Sequence, residues 1–525
     1  MPLRSSATLA TLAARVPEPR PEAVPLPDHL RPLRAEDFDY EQARHLLARA
    51  GFGGTPEEVR ELADLGLDAA VDRLVRFEGA AAPAPGAALA FDPDIMRPPD
   101  PVEQRRYREA LRQGDEEVVA AFRRRRQQAQ RADRAQLREV RHWWLERMAT
   151  TARPLEEKMT LFWHGHFATG YRAIEDSWHL AVQNQLFRAH ALGSFKDLTH
   201  RIIRDPAMLR YLDNHRNVAR RPNENLAREL MELFTLGEGN GYSEADIKEA
   251  ARALTGYHFD DDAFVFRDRL HDHGMKRILG RSGRFDGDDL VDLLFAQPTA
   301  AEFLVLKLYR FFVHDLPGGE IAPPRRRFLA ALAGEFRRSG FDVGSVLATL
   351  FRSAHFHHPS NVTARIKSPV ELAIGTVRTL GTPLRSLRAA DDALAAMGQD
   401  LLEPPSVRGW PGGRTWINTS TLFVRQSYPV YLLTGIRPRA WGWPDDRTPY
   451  AAGRLVAPLL DVDPAGPDPE TAAAYLLHHA LGTRPHPDRV RTIGRFLAER
   501  SGRLDDDVLT GALCLVAALP EYQLT

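Results

Sequence analysis

Cysteine is almost missing from this chain: among 525 residues there is one, Cys514. A single thiol excludes an intrachain disulfide framework and any zinc cluster built on cysteine, so a metal would have to be held by His, Asp, Glu, Asn or backbone oxygen. Net charge is missing too. Lys plus Arg equals Asp plus Glu at 70 each, which leaves no global field drawing the protein to nucleic acid or to an acidic membrane surface. No apolar run approaches the roughly 18 residues of a spanning helix. There is no Walker-type loop and no Gly-x-Ser-x-Gly elbow, and Gly280, Gly283 and Gly287 follow no predicted strand. Nucleotide-loop and serine-nucleophile chemistry therefore lack support.

What is present favours helix. Hydrophobic residues make up 43% and charged residues 27%, within the globular range, and Ala and Arg are plentiful. Residues 1–36 are expected to be a disordered proline-rich arm. Its start, MPLRSSATLATLAARV, carries no convincing cleavage segment, so the expected address is cytoplasmic, with a periplasmic or exported one as the alternative. Residues 37–436 read as the main helical domain, with an Ala/Pro/Gly-rich linker at 78–101 and a long charged helix at 102–148. Residues 437–525 read as a C-terminal helical extension. Thr55 with Glu58 forms a capping box, Pro154 and Pro369 start helices, and Ser243 caps another. The segment YHFDDDAFVFRDRLHDHGMKRILG, with alternating aromatics and turn residues, is the one β-hairpin candidate. The expected fold is thus predominantly all-α: a large multi-helical body with a small β-hairpin insertion. Arg123 to Arg126 read as a solvated helix face, since aromatic interleaving is absent, and no nucleic-acid partner is expected.

Polar residues crowd into the stretch from Asp205 to Gly241. A helix is expected from Glu224 to Leu236, capped by Asn223, with Leu226, Leu230 and Leu233 in one stripe and Asn225, Glu229 and Glu232 flanking it. Two carboxylates at i and i+3 share a face and suit a cation or an arginine. A solvated acidic side is the plainer explanation. Upstream, His164 and His166 are separated by one glycine. On a helix they would point roughly 160° apart, whereas a turn would let both face one pocket. His271 and His273 repeat the pattern downstream. Histidine is a common metal ligand and a general base near neutral pH, but it also sits in aromatic cores making ordinary hydrogen bonds. Asp213 beside His215 reads either as an acid/base pair or as a turn cap.

Several long segments, in order along the chain, resemble the bacterial domain of unknown function 1800 family. They include HLLARAGFGGTPEEV, HWWLERM, PLEEKMTLFWHGHFAT, NQLFRAHALGSF, DPAMLRYLDNHRN, PNENLARELMELFTLGEGNGYSEADIKEAARALTGY, HDHGMKRILG, IKSPVEL and PPSVRGWPGGRTWI. The resemblance implies no reaction, but its motifs coincide with the polar clusters, and it implies Trp410, Gly412, Gly413 and Trp416 as a lid or wall. It also implies a partner, a protein of the uncharacterised 1501 family. Two functional readings follow. One is a metal-dependent enzyme, hydrolase or oxidoreductase, holding a divalent metal (Zn, Fe or Mn) on His164, His166, Glu229 and Glu232. In it His271 and His273 are further ligands or proton carriers, Arg228 orients the acids or an anionic substrate, and Asp213 assists. The other is a non-catalytic scaffold or partner-binding protein in which the same polar residues form a buried network fixing helix packing.

Overall fold

Helix starts in this chain are written in short polar side chains and prolines. Asp39, Thr55, Ser243, Asp286 and Ser368 each close a capping box with the residue three positions on. Proline occupies the first turn at Pro56, Pro101, Pro154, Pro298 and Pro369, where its missing N–H would have had no intrahelical partner. The computed structural model describes residues 25–77, 90–317, 319, 321–460, 466–500 and 504–525, and over these the fold is predominantly α-helical. Residues 1–24 of the expected arm and 78–89 of the expected linker lie outside the described residues.

The helices framing the polar residues are α1 (Tyr40–Ala50), α2 (Pro101–Gln113), α3 (Glu116–Thr150), α4 (Pro154–His166), α5 (Ser177–Ala189), α6 (Asn225–Glu229), α7 (Glu244–Ala253), α8 (Pro298–Phe312) and α9 (Pro369–Leu380). The single helix expected over 102–148 is in fact two, α2 and α3. Gly114 adopts a left-handed conformation at φ 70°, which closes α2, and Asp115 accepts the Val118 N–H to open α3. The two fold back on each other, with Tyr107 against Phe122 and Arg125 paired to Glu103 at 2.7 Å. Arg123 to Arg126 are exposed on this hairpin. The expected β-hairpin is also two. Strands β1 (Tyr257–Asp260) and β2 (Ala263–Phe266) pair antiparallel, and a second antiparallel pair, β3 (Lys276–Ile278) and β4 (Arg281–Gly283), follows. The second pair is only three residues long per strand, too short to show alternation in sequence.

Two hydrophobic cores share the body. One gathers side chains between Phe38 and Phe356; the other joins the docked end of α3 to α9 and the C-terminal helices as far as Tyr522. Helix α4 lies between them. Leu155, Met159, Phe162 and Trp163 enter the first core and Leu161 the second. All of α4 except Gly165 is buried, including Glu156, Glu157, Lys158, His164 and His166. A helix covered on every side has no polar face to give to water, so each of its charges requires a partner.

Glu157 has three. Trp144 Nε1 donates to its Oε2 at 3.0 Å, Arg188 donates to both oxygens at 2.7 and 2.8 Å, and Arg147 donates to Oε1. Burial alone would raise the Glu157 carboxyl, but the guanidiniums of Arg188 and Arg147 more than offset it and hold it below its ordinary value. Lys158, with no exposed surface, donates to Glu371 Oε1 at 2.6 Å and to the Gly51 carbonyl at 2.9 Å. Glu371 also takes Arg365 at 3.1 Å and the Ser368 N–H at 2.8 Å. Burial opposes its charge as well, and Arg365 and Lys158 again prevail, holding it well below the usual carboxylate range.

Removing one partner of such a cluster strands the others. Glu157→Ala leaves the buried Arg188 without a counter-ion and Arg147 with Glu156 alone, and is expected to cost about 3–5 kcal/mol. Glu36→Ala, which removes an exposed partner of Arg34, should leave stability close to that of the wild type. Denaturant or thermal unfolding of the two variants checks the contrast, and equal effects would contradict it.

Candidate functional site

The His-Gly-His segment is helical, and this decides where its rings go. His164 and His166 leave α4 on different sides. His164 sits between the rings of Trp144 and Phe187, at 4.9 and 4.7 Å, and its Nε2 meets the side-chain amide of Asn184 at 3.0 Å. Burial, helped by the Arg188 charge, pushes its pKa down to about 3, so the ring is neutral and Nε2 accepts. His166 donates from Nε2 to the Phe234 carbonyl at 3.0 Å, which leaves Nδ1 to accept from Lys307 Nζ at 3.2 Å. Burial, then the Lys307 charge, holds His166 well below its ordinary pKa. Gly165 between them meets the 404–413 loop. A Cβ on Gly409, whose φ is +77°, would fall 2.0 Å from the Gly165 carbonyl oxygen, and Trp410 covers Gly165. Trp410 thus walls the end of α4.

The α-helix expected through Leu236 stops at Glu229 and continues as a π-helical turn, Leu230–Thr235. Leu236 N–H reaches back to Met231 and Thr235 Oγ1 to Leu230, each five residues earlier. A widened turn misplaces carbonyls, and such turns recur at functional sites. Here the carbonyls are met from outside. Lys307 Nζ on α8 donates to Leu233 O at 2.9 Å, beside the His166 bond to Phe234 O. Burial lowers the Lys307 amine to about 7, with Arg310 adding to the shift.

On the outer side, Arg228 lies among three carboxylates. It pairs bidentately with Glu244 at 2.8 and 2.9 Å and reaches Glu224 at 3.1 Å and Glu232 at 3.2 Å. These bonds, Glu244's first, raise its pKa. Glu229 is half-buried, and burial with the nearby Glu232 charge raises its carboxyl against Arg408 and Arg228. The helix starts at Asn225 with Glu224 at its N-cap, one residue later than expected; Asn223 accepts the Asn225 N–H at 3.0 Å, and its amide donates to the Asp213 carbonyl at 3.3 Å. Asp213 itself is left-handed, φ 56°, with its carboxylate 3.2 Å from Arg216. The buried amides of the same turn bridge outward. Asn214 donates to Leu254 O and Tyr257 O, and Asn217 donates to Ala251 O and to Asn214. His271 Nδ1 bonds the Thr255 carbonyl at 2.8 Å, and its pKa is lowered by burial first and then by Lys276 and His273. His273 is exposed and sits 3.3 Å from the Asp268 carboxylate.

His166 therefore meets the segment carrying Arg228, Glu229 and Glu232 through the Phe234 carbonyl, a backbone group, while His164 turns away to Asn184. Among the described residues no hydrogen bond, ion pair or ring contact joins His271 or His273 to any of them. Nor, among those residues, are three His, Cys, Asp or Glu side chains grouped so as to hold a metal ion. Sequence reasoning missed Lys307, Asn184 and Asn217. Lys307 had a signal: it is the lone lysine in the apolar run of PTAAEFLVLKLYRFF, and a charge there needs an internal acceptor.

Across this geometry one family is matched: "Protein of unknown function (DUF1800)" covers residues 45–524, and the chain belongs to that family. Neither the curated proteins nor the solved structures contain a match. Among the described residues no helix is long and apolar enough to cross a membrane.

The histidines make two predictions. His166→Phe leaves the Phe234 carbonyl without its donor and should destabilise the fold by about 1–3 kcal/mol, with hydrogen exchange rising across 230–236; unchanged exchange there would contradict this role. His164, His357 and His479 are held neutral, their pKa pushed by burial to about 3, 4 and 4 from 6.5. Below pH 6.5 the unfolded chain binds protons that the folded one refuses. Their stabilisation is thus complete above pH 6.5 and is lost progressively as pH falls towards 4. Thermal midpoints should decline through that window; a flat profile would contradict it.

Proposed function

We propose that this protein is a non-catalytic, partner-binding scaffold whose buried polar residues hold its helices in register. One observation carries the reading: His166 and Lys307, from two helices, bond the adjacent carbonyls Phe234 and Leu233 of the π-helical turn. Asn214, Asn217 and His271 hold main-chain carbonyls in the same way. A buried network of this kind fixes one packing among many.

The metal-dependent reading keeps one observation of its own. Glu229 and Glu232 stand at i, i+3, and the raised Glu229 carboxyl belongs to a group short of positive partners. Zinc, iron and manganese analysis of purified protein separates the two. The scaffold reading expects no stoichiometric metal, a lowered melting temperature for His164→Ala, and stability within about 0.5 kcal/mol of wild type for Glu229→Ala. A stoichiometric metal that is lost in a folded Glu229→Ala variant would overturn the scaffold reading in favour of the metal-dependent one. The first partner to assay is the one the family resemblance implies, a protein of the 1501 family, by co-purification at physiological salt.

A further inference from the structure

A cleft of about 470 Å³ opens between the inner side of α3, the short helix Tyr171–Ile174 and residues 400–403. It lies apart from the histidine cluster, and its volume falls in the range that takes a small molecule. The lining has a specific chemistry. Arg134, Arg141 and Arg172 supply three guanidiniums, and Glu175, Asp400 and Glu403 supply three carboxylates. Gln130 and the Tyr171 ring complete it, so no aliphatic side chain faces the space.

That composition rules ligands out by class. An apolar molecule would meet one aromatic ring and otherwise only charged and amide groups. An anion such as phosphate would confront three carboxylates, and a simple cation three guanidiniums. Charges of both signs are interleaved at short range: Arg141 Nη2 is 2.7 Å from Asp400 and Arg172 Nε is 3.7 Å from Glu403. The remaining capacity is for hydrogen bonds, donors and acceptors side by side, which matches a molecule that both donates and accepts at every position. We propose that this cleft is a binding site for a neutral polyhydroxylated ligand, a mono- or disaccharide.

Three of these groups, on Tyr171, Glu403 and Arg141, are also held in place before any ligand arrives. Tyr171 donates its hydroxyl to Asp133 at 2.7 Å, and Asp133 accepts in turn from the Ser177 N–H and hydroxyl at 2.9 and 2.6 Å, so the ring is fixed. Glu403 Oε2 accepts the Arg172 N–H at 2.9 Å. Arg141, only 12% exposed, lies between Asp400 and Asp391. Planar groups held this way bind without first being ordered, which removes a main cost of recognising a small polar ligand. A ring fixed at its hydroxyl offers a flat apolar face for the C–H side of a sugar, and the amide, guanidinium and carboxylate planes offer paired contacts to neighbouring hydroxyls.

The test uses the full chain and calorimetric titration with glucose, xylose, N-acetylglucosamine, maltose and cellobiose, with inorganic phosphate and L-arginine as charged comparators. Arg134 and Glu403 are changed separately, to Arg134→Ala and Glu403→Gln; Arg123→Ala, on the exposed part of α3, is the control. At least one sugar is expected to bind. Its affinity should fall by about tenfold or more in each cleft variant, because each loses a charge-assisted bond, and stay unchanged in Arg123→Ala. Arg134 is exposed, so a wild-type melting temperature for that variant keeps the reading independent of folding. Failure of all five sugars to bind at millimolar concentration would overturn the proposal. So would binding that neither cleft variant weakens, or binding of phosphate or L-arginine alone.

Discussion

Two adjacent charges on the central helix, Glu157 and Lys158, constrain everything around them. Neither has exposed surface, and they reach different neighbours: Glu157 takes Arg147 and Arg188 from α3 and α5, while Lys158 takes Glu371 from α9 and the Gly51 carbonyl just past α1. Apolar contacts would let a buried helix settle at several rotations about its axis. Charged contacts do not, because every rotation but one strands an ion in a medium that cannot solvate it. The gain lies in specificity more than in net stability, since desolvation consumes much of what the pairs contribute. Once α4 is set in rotation, His166 is aimed at the π-helical turn and His164 at Asn184.

The π-helical turn shows the same logic in backbone form. Its widened geometry frees the carbonyls of Leu233 and Phe234 from the usual ladder, and a buried carbonyl without a donor costs about as much as a lost hydrogen bond. Lys307 and His166 supply the donors, both with protonation shifted by burial. A lysine near neutrality and an uncharged imidazole are cheaper to bury than two cations would be. Their lowered pKa values thus have a structural origin, and here perturbed titration marks a load-carrying joint between α4, α8 and the 225–235 segment. The inference from shifted pKa to chemistry is probabilistic for this reason.

Much of this was legible in the sequence, and the failures have definite causes. Capping boxes at Thr55 and Ser243 and the first-turn prolines Pro154 and Pro369 sit where local rules put them. The break at Gly114 was missed because one glycine followed by Asp-Glu-Glu reads as a tolerated interruption, yet the left-handed glycine and the Asp115 cap together end one helix and begin another. The π-helical turn was not legible: ELMELFTLG has ordinary helical spacing, and the extra residue per turn is imposed by what packs on it. The polar density between Asp205 and Gly241 was seen correctly, but residue types do not reveal whether a side chain will face a cavity or a backbone carbonyl. For Asn214 and Asn217 the acceptors lie in residues 251–257, which are remote in sequence.

The two clusters of charge in this molecule differ in a way that bears on function. Around α4 and the π-helical turn, Glu157, Lys158, His166 and Lys307 are turned inward, and their partners are main-chain carbonyls or counter-ions that would be stranded without them. Around residues 400–403, the charges line a cleft of about 470 Å³ open to solvent, with Arg141 and Glu403 largely covered and Arg172 exposed. Tyr171 is held there by Asp133, Glu403 by the Arg172 N–H, and Arg141 between Asp400 and Asp391. Rigid polar groups facing an accessible volume add little to folding, and they reduce the ordering cost of whatever enters that volume. The inward cluster is accounted for by the fold; the outward one is where the proposed ligand would bind.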